Sequence, residues 1–332
     1  MDFEFNKLNQ IAFGYWHSNT FFALCELGVF EFLADKVHTS QEIADACDFE
    51  VDAGKSLLNA GVALNFLLVN ADGNYANSPM ALRFLTSKSE ESLTNWVGVM
   101  GIWAKPWLTI VDAIRKGHSV SPQGPVISAD PDYTTKFILG MHEYASRSSD
   151  AIAAAVDLSG AKTMVDIGGG AGTYSISFCK HNPGLRSTIM DLPEVLVIAD
   201  QMASKAGLRD RIDLQAIDYR TSELGSGVDC VLFSNVLHQE TRDVGRNMLE
   251  RARSALAIGG KVVVHGHFLT EDRTGPVFAT LHNLSARIIW DGGHSYTINE
   301  MKSLMSEAGF DALEVATSSS AATKAIVGQK TS

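Results

Sequence analysis

The chain has 332 residues, of which 45% are apolar and 20% are charged, a composition typical of folded globular proteins and not of disordered ones. This length predicts about two domains. The net charge of −11 and the pI near 5.3 argue against a protein that grips nucleic-acid phosphates, but they allow a cationic ligand.

The cysteines and the N-terminal residues indicate a cellular compartment. The four cysteines are widely spaced without a Cys-x-x-Cys pair, which favours reduced, buried thiols over a zinc ribbon or a disulfide framework. Asp2 and Glu4 stand where a secretory signal would be basic, and no apolar run approaches the ~18–20 residues of a membrane span. We therefore expect a cytoplasmic protein that binds neither a membrane nor nucleic acid.

Residues 1–100 are predicted to form a helical domain of the winged-helix type. Large apolar side chains in residues 1–35 do not keep to one helical stripe, so these helices need to be covered by another subunit or by the same chain. A helix over Val51–Leu64 is followed by a hairpin of Leu67–Val69 and Tyr75–Ala76. Because that helix offers few side chains that read bases, we expect it to pack or dimerise.

Residues 101–160 are predicted to form a helical linker that contributes to a substrate pocket. A Pro-, Gly- and Ser-rich break over 118–125 interrupts it. Large side chains in such a segment usually belong to the core, but an apolar pocket also needs a wall. The candidate substrate-binding residues here are Trp103, Trp107, Met141 and Tyr144.

Residues 161–332 alternate strands with helices, which indicates an α/β fold with a mostly parallel sheet. A turn at Gly259-Gly260 is predicted before the fifth strand, and the last two strands are predicted to pair as a closing antiparallel hairpin. The predicted strands are Thr163–Ile167, Ser187–Met190, Ile212–Ala216, Val228–Phe233, Lys261–His265, Ala312–Thr317 and Lys324–Gly328.

A glycine-rich turn over residues 168–172 leads from the first of these strands into a helix. Glycines allow the backbone to approach a ligand closely, and helix N-terminal amides favour a carboxylate or a phosphate. The turn is not a dinucleotide fingerprint, because the sixth position counted from Gly168 is Thr173 and not glycine.

Three acids, Asp166, Asp191 and Asp218, fall at or near the carboxyl edge of the predicted sheet, where open α/β folds bind ligands. Asp191 is placed to accept ribose hydroxyls and Asp218 to accept an exocyclic amine, while Asp166 or Asp191 adds negative charge near a cation. Such a cluster would repel a pyrophosphate and favour a positively charged nucleoside. S-adenosylmethionine fits, with its sulfonium, ribose and adenine, and with a carboxylate for the helix amides.

These motifs, in this order, resemble the class I small-molecule O-methyltransferases of the acetylserotonin and caffeate type, including their bacterial natural-product members. The residues that carry the resemblance are Asp166-Ile-Gly-Gly-Gly-Ala-Gly, Asp191-Leu192-Pro193, Asp218-Tyr219, Val236-Leu237-His238, Gly292-Gly293 with Thr297, and Ala308-Gly309-Phe310. The resemblance covers nearly the whole chain.

The resemblance implies a Rossmann-like methyltransferase sheet, preceded by a winged-helix dimerisation domain. It further implies a homodimer through the N-terminal helices, S-adenosylmethionine as methyl donor, and a small-molecule acceptor bound between the helical and catalytic domains. The cofactor-binding residues that it implies are Asp166, Gly168, Gly170, Asp191, Leu192, Asp218, Tyr219 and Ser234.

His238 matches the general base of that family. Moving a proton from a phenol with a pKa of about 10 to a histidine at about 6.5 costs roughly 5 kcal/mol. Burial beside a sulfonium lowers the pKa of the phenol, and a carboxylate partner would raise that of the histidine. A lone histidine after an apolar strand is otherwise a satisfied core residue.

The chain departs from the family around this base. Positions that usually carry charged residues in the family hold Ser234, Gln239, Gly266, Ser295 and Tyr296. The carboxylates that orient the base are therefore missing, unless Glu240 or Asp243 substitutes for them. Three interpretations follow: the acceptor is an acidic phenol or enol, the acceptor atom is nitrogen or carbon, or the scaffold performs non-methylating chemistry.

Four histidines, His265, His267, His282 and His294, fall around the presumed pocket. His265 and His267 would share one face of a strand, as metal ligands can, but no acid or cysteine completes a site, so no metal is predicted. We expect His282 and His294 to line the substrate pocket and to offer alternative proton relays.

The sequence therefore predicts a methyltransferase that transfers the methyl group of S-adenosylmethionine to a hydroxyl of a small aromatic or conjugated metabolite, with His238 as base. The alternatives are methylation of carbon or nitrogen, a rearrangement, elimination or cyclisation with the cofactor bound, and a winged-helix regulator that senses S-adenosylmethionine. The failed fingerprint argues against an NAD-dependent oxidoreductase.

Overall fold

The computed structural model describes residues 3–124, 129–318 and 322–332. The chain divides into two compact units, Met1–Ile102 and Trp103–Ser332. The predicted break over 118–125 falls partly on residues outside the described ranges.

The first unit consists of helices and one short hairpin. The two strands pair antiparallel, with Leu68 opposite Ala76, as the sequence predicts. A capping box formed by Thr39 and Glu42 starts the fourth helix, because each side chain satisfies a backbone N–H of the other residue. The elements are α1 (Phe3–Ala12), α2 (Gly14–Glu26), α3 (Val29–Leu33), α4 (Ser40–Cys47), α5 (Val51–Ala63), β1 (Leu67–Val69), β2 (Tyr75–Asn77), α6 (Pro79–Phe84) and α7 (Thr94–Trp107), the last of which crosses into the second unit.

The apolar N-terminal helices are only partly covered within the first unit. Residues of α2, α3 and α5, including Leu24, Phe30 and Leu58, form its core. By contrast, α1 has no buried residue, and its Phe3, with 82% of its surface exposed, and Ile11, with 70%, face away from that core.

The second unit contains a mixed sheet with helices on both faces. Its elements are α8 (Ile110–Lys116), α9 (Pro131–Ala145), α10 (Ser149–Ala155), β3 (Thr163–Ile167), α11 (Thr173–His181), β4 (Arg186–Asp191), α12 (Pro193–Lys205), β5 (Ile212–Ala216), β6 (Val228–Ser234), α13 (Arg242–Ala255), β7 (Leu256–Gly266), α14 (Val277–Ile289), α15 (Ile298–Glu307), β8 (Asp311–Thr317) and β9 (Lys324–Gln329). Among the described residues the strand order is β5-β4-β3-β6-β7-β9-β8. The strands from β5 to β7 are parallel, and β9 and β8 run antiparallel beside β7.

The α/β fold with a parallel sheet and an antiparallel closing hairpin is confirmed. The expected turn at Gly259-Gly260 is wrong, because both glycines lie inside β7, which begins at Leu256. The pairing of β6 with β7 is irregular there, since Val228 pairs with Leu256 but Cys230 pairs with Lys261. The extra residues form a bulge in the strand, held by a hydrogen bond from the Gly259 N–H to the Lys330 carbonyl.

Side chains along β3 alternate between two apolar layers. Val165 and Ile167 pack in the layer that includes α13 and α15, whereas Met164 packs in the layer that includes α10, α11 and α12. Asp166 faces the latter side, where α11 covers it. Because parallel strands are buried on both faces, the first residues able to meet a ligand are those where the strands end.

The cysteines are free, but only Cys179 and Cys230 are buried. Cys25 and Cys47 are partly exposed, which corrects the expectation that all four would be buried. In the described part of the chain no single helix is long and apolar enough to cross a bilayer, although α7 and α8 pass that test as a pair bent by 59°.

Candidate active site

The glycine-rich turn lies at the carboxyl end of β3 and leads directly into α11. Gly168 has a φ of +62°, and a Cβ atom there would lie 2.9 Å from Cγ2 of Val236. Gly172 has a φ of +75°, and a Cβ atom there would collide with Ile189. The backbone therefore requires glycine at both positions, for its left-handed conformation and for close packing.

Asp191 ends β4 beside this turn. Its Oδ2 accepts the Gly170 N–H at 2.9 Å and its Oδ1 accepts the Leu192 N–H at 2.8 Å. The carboxyl group is 8% exposed, and burial raises its pKa although both backbone hydrogen bonds act in the opposite direction. Each carboxylate oxygen can accept a further hydrogen bond, so Asp191 both holds the turn and retains acceptor capacity.

Asp166 lies beneath the turn and not at its open edge. Its Oδ2 accepts a hydrogen bond from Ser175 of α11 at 2.7 Å, its Oδ1 has no described partner, and the residue is 1% exposed. Burial, with a further contribution from Asp191, raises its pKa to about 7. Asp166 is thus partly protonated near neutral pH, and the expectation that it supplies a full charge near a cation stays a prediction.

Asp218 and Tyr219 follow β5, and the ring of Tyr219 lies beside the glycine turn. Asp218 is exposed, and its Oδ1 accepts the Arg220 N–H at 2.9 Å. Cδ1 of Tyr219 lies 3.7 Å from the Cβ position of Gly168, and its hydroxyl donates to Oε1 of Glu240 at 2.9 Å. Arg220 also donates to that oxygen, at 3.0 and 2.9 Å, so a buried carboxylate fixes this loop.

These residues fit a cationic nucleoside such as S-adenosylmethionine. Among the described residues, a Cβ atom added at Gly170 would meet nothing closer than Ile138 at 4.0 Å, so these residues leave space on that side of the turn. The carboxyl groups of Asp191 and Asp218 can accept hydrogen bonds from hydroxyl and amine groups, and the N-terminus of α11 can receive a carboxylate.

His238 lies in a short 3₁₀ turn, Leu237–Gln239, just after β6. The turn is tied to neighbouring segments, because the Asn235 N–H donates to the His265 carbonyl at 3.0 Å and the His294 N–H donates to the His238 carbonyl at 2.9 Å. Asn235 adopts a φ of +54°, which turns the chain sharply at the end of β6. The backbone that carries His238 is thereby tied to neighbouring segments on both sides.

His238, His267, His282 and His294 form a group that we call the histidine cluster. The ring of His282 lies 4.8 Å from that of His238 and 5.0 Å from that of His267, measured between centroids. Burial, followed by the nearby His282, His267 and His294, holds the pKa of His238 well below its usual value. Burial also lowers the pKa values of His267 and His282 to about 4, and it lowers that of His294. The cluster is therefore neutral at pH 7.

Among the described residues no carboxylate forms an ion pair with this cluster, and only His294 has its pKa raised by a carboxylate, that of Glu300. The ion pairs that involve histidine there are His38–Glu42 and His181–Asp150, neither of which includes a cluster residue. Glu240, one predicted substitute, is occupied by Tyr219 and Arg220. Asp243, the other, is an exposed residue in the first turn of α13.

His265 and Ser234 belong to a separate buried network. The strand ends at Gly266, so His265 and His267 do not share a strand face, which corrects that expectation. Nδ1 of His265 lies 3.0 Å from Oγ of Ser234, and its ring contacts Tyr174 at 4.7 Å, whereas His267 contacts Phe278 at 4.8 Å. Ser234 thus contacts a histidine, and its contact with a cofactor stays a prediction.

An aromatic group surrounds Trp103 at the start of the second unit. Its Nε1 donates to the Tyr133 hydroxyl at 2.9 Å, and its ring lies 5.9 Å from Phe137 and 6.1 Å from Trp290. The other predicted wall residues, Trp107, Met141 and Tyr144, are partly buried or, for Tyr144, 39% exposed. Contact of any of them with a substrate remains a prediction.

Comparison with known proteins adds to this geometry. A family model described as an O-methyltransferase domain matches residues 115–311, and an O-methyltransferase dimerisation domain matches residues 9–87. The chain belongs to the O-methyltransferase family. Members of this family use S-adenosylmethionine as methyl donor, and the residues at the glycine turn fit that group.

Relatives of this O-methyltransferase extend along nearly its full length. The 3-hydroxy-5-methyl-1-naphthoate 3-O-methyltransferase of Streptomyces sahachiroi is 32% identical, over 91% of this chain and 88% of the relative. The N,N-dimethyltransferase OxyT of Streptomyces rimosus is 29% identical, over 92% and 90%. The crystal structure of human N-acetylserotonin methyltransferase in complex with SAM superposes with a TM-score of 0.91 at 28% identity, covering 100% of this chain and 99% of that one.

Sequence reasoning missed one contributor to this site, Phe278, and assigned another, Glu240, to a different role. Phe278 packs against His267 and His282, and its position four residues before His282 on α14 puts both on one helix face, a signal that was available. Glu240 holds Tyr219 and Arg220 across about 20 residues of sequence, and only the order of the strands brings these residues together.

Proposed function

We propose that this chain transfers the methyl group of S-adenosylmethionine to a hydroxyl of a small aromatic or conjugated metabolite, with His238 as general base. Asp191, Leu192, Asp218 and the glycine turn would hold the methyl donor. The histidine cluster, with Phe278, would line the acceptor side.

One observation carries this proposal. The Cβ position of Gly168 lies 2.9 Å from Val236 and 3.7 Å from Tyr219. The nucleoside-facing turn, the loop after β5 and the segment that presents His238 two residues later therefore meet at one point of the sheet edge. A group held at the glycine turn would lie beside a base, as in-line transfer to a nearby oxygen requires.

The residues of this chain would act mainly by positioning. S-adenosylmethionine supplies an electrophilic methyl group, which the acceptor oxygen takes while the bonding electron pair stays on sulfur. His238, neutral at pH 7, can accept the hydroxyl proton on a ring nitrogen. The carboxylates of Asp191 and Asp218 would orient the nucleoside, and the partly buried aromatic and histidine side chains would limit the access of water to the reacting oxygen.

Methylation of nitrogen is the second candidate function. The relative OxyT is named as an N,N-dimethyltransferase, and the described residues provide no carboxylate to strengthen His238 as a base. An amine with a free lone pair would need less help from a base than a phenol does.

The test incubates the full chain with S-adenosylmethionine carrying an isotope-labelled methyl group and a panel of hydroxynaphthoates, phenols and aromatic amines. Mass spectrometry then locates the label. We expect an O-methyl product, with S-adenosylhomocysteine released in equal amount, and a turnover about 10²–10⁴-fold lower for His238→Ala. Label on nitrogen would establish the second candidate, and product without S-adenosylhomocysteine would overturn both.

We further propose that the chain works as a homodimer through its N-terminal helices. The dimerisation-domain match covers residues 9–87, and α1 presents Phe3, Leu8 and Ile11 to solvent within its own unit. Exposed apolar patches of this kind mark association surfaces. Sedimentation of the full chain should give a dimer, and Leu8→Glu combined with Ile11→Glu should give a monomer.

A further inference from the structure

The histidine cluster has an internal support that uses a hydroxyl. His282 lies between His238 and His267, and its Nδ1 is 3.3 Å from Oγ of Ser295. Ser295 is 1% exposed, and its own N–H donates to Oδ1 of Asn283 at 2.8 Å. The serine is therefore fixed by the helix that carries His282.

This contact links the tautomer of His282 to a buried hydroxyl. A hydroxyl can donate or accept, so the roles of Ser295 and of Nδ1 of His282 depend on which ring nitrogen carries the hydrogen. With the hydrogen of His282 on Nε2, the Ser295 hydroxyl would donate to Nδ1 and hold the ring orientation next to His238.

The groups that face His238 and His282 are neutral. They are His267 after β7, His294 before α15 and, on α14 itself, Phe278. The charged residues of this region, Arg273, Arg287 and Glu300, act on His294, and Arg273 pairs with Glu300. Among the described residues, the titratable groups that act on His238 are therefore imidazole rings, whereas the carboxylate of Glu300 acts on His294.

We propose that His282, fixed by Ser295, is the positioning residue for His238, and that this carboxylate-free arrangement selects acceptors whose hydroxyl ionises readily. The acceptor class is a phenol that bears an electron-withdrawing group, or an enol conjugated to a carbonyl. The inference rests on the proposed function, because it requires His238 to receive the hydroxyl proton.

Acid–base chemistry gives the reason for this selectivity. The proton leaves the acceptor oxygen and arrives on a ring nitrogen of His238, so the transfer depends on the difference between their pKa values. For an ordinary phenol and an ordinary imidazole this difference disfavours the transfer by a factor of roughly 3 × 10³. A carboxylate partner would reduce that factor by stabilising the imidazolium. Where it is missing, the acceptor itself must supply the acidity.

The kinetic experiment compares 4-nitrophenol with 4-methylphenol as acceptors for the full chain at pH 7. Wild type should favour 4-nitrophenol by at least about 10²-fold in kcat/KM, and Ser295→Asp should narrow this preference about 10-fold, because its carboxylate stabilises a protonated cluster. Ser306→Ala, on the exposed face of α15, is the control. Equal rates for both phenols, or an unchanged preference in Ser295→Asp, would overturn the proposal.

A second kinetic comparison tests positioning. His282→Gln should lower kcat about 10–100-fold without changing the KM for S-adenosylmethionine, the loss expected when a base is misplaced by about an ångström. Leu281→Ala, at the exposed neighbour on the same helix, should leave kcat unchanged. A purely structural role for His282 would instead change both KM values and lower the melting temperature.

Nitrogen-15 NMR of the imidazole rings decides the placement without any turnover. We expect an unprotonated Nδ1 on His282 in wild type, and a shift of both the His282 and the His238 signals in Ser295→Ala. A protonated Nδ1, or unmoved His238 signals, would refute the positioning role even if the enzyme is active. If neither phenol nor any hydroxynaphthoate is methylated while the NMR result holds, the proposed O-methylation fails and the placement of His282 stands.

Discussion

The two halves of the candidate site satisfy their polar groups in opposite ways. In the proposed methyl-donor half, Asp191 accepts two backbone N–H groups and Glu240 accepts hydrogen bonds from Tyr219 and Arg220. In the proposed methyl-acceptor half, histidine rings contact one another and Phe278. One half holds fixed negative charge, and the other is neutral.

This difference follows the division of labour within the family. A cationic nucleoside is the methyl donor throughout the family, and acids at the sheet edge suit a ligand of that charge. The acceptor differs between members, as the named naphthoate and N,N-dimethyl activities of two relatives illustrate, and the groups around the base can change with it. One sheet edge thus combines a half for the methyl donor that the family has in common with a half for an acceptor that differs between members.

The largest expected effect is on binding of S-adenosylmethionine, in the variant Asp191→Ala, which changes the charged half. The substitution removes an acceptor for the nucleoside and releases the N–H groups of Gly170 and Leu192. Because hydrogen bonds to a charged group contribute about 1.5–3 kcal/mol each, we expect binding of S-adenosylmethionine to weaken about 10²–10³-fold. Isothermal titration calorimetry measures this.

The matched control is Asp213→Ala, an exposed acid on the adjacent strand β5 that pairs with Arg186. It should bind S-adenosylmethionine as wild type does. Unchanged affinity in Asp191→Ala would contradict the assignment of Asp191, and with it the charged half, to binding of S-adenosylmethionine.

The sequence predicted the charged half better than the neutral one, for physical reasons. Strands β3 and β5 match their predicted bounds, because Gly168 limits the first and charged residues, Arg211 and Asp218, border the second, and the acids that follow strands locate the edge directly. Contacts among His238, His267 and His282 depend on three separate elements, so local patterns identify the residues but not their neighbours. The bulge at Gly259 was not predicted for a similar reason, because its hydrogen-bond partner, Lys330, lies far along the chain.

The neutral half should make the fold sensitive to acid. Burial lowers the pKa of His265 to about 3 and those of His267 and His282 to about 4, against about 6.5 in the unfolded chain. Above pH 6.5 the folded protein loses nothing by keeping them neutral. Below pH 6.5 these histidines bind protons in the unfolded chain but not in the folded one. This difference lowers the free energy of unfolding by about 2 kcal/mol per histidine at pH 5.

Asp166 has the opposite effect on the free energy of unfolding. Its pKa is raised to about 7 in the folded protein, so on acidification the folded chain binds this proton at a higher pH than the unfolded chain does. That offset is about 2 kcal/mol, so these three histidines and Asp166 together should lower the free energy of unfolding by about 3–4 kcal/mol between pH 7 and pH 5. Denaturant titrations of the ligand-free chain at both values measure it. His267→Gln should reduce the fall by about 2 kcal/mol, and Ser306→Ala, at an exposed site without a titratable group, should not; a fall that is the same in both variants would contradict the assignment.

Glu240→Gln tests whether this carboxylate supports the methyl-donor half, through Tyr219 and Arg220, or supports His238 in the acceptor half. Because Glu240 is bound to Tyr219 and Arg220, its loss should weaken S-adenosylmethionine binding about 3–10-fold, through the loop next to Gly168. The pH dependence of kcat should stay that of wild type. Glu250→Gln, at an exposed position of α13, is the control. A shifted pH profile in Glu240→Gln would instead assign this carboxylate to His238.

The smallest effect is expected from Asp218→Asn, which sharpens the comparison within the charged half. Asp218 is exposed where Asp191 is buried, so water screens its charge and competes for its hydrogen bonds. We expect a loss of affinity for S-adenosylmethionine of only about 2–5-fold, which should shrink further in 0.5 M salt. Calorimetry at two salt concentrations tests this. A loss as large as that of Asp191→Ala would mean that ligand binding buries Asp218, and that the loop after β5 closes over the nucleoside.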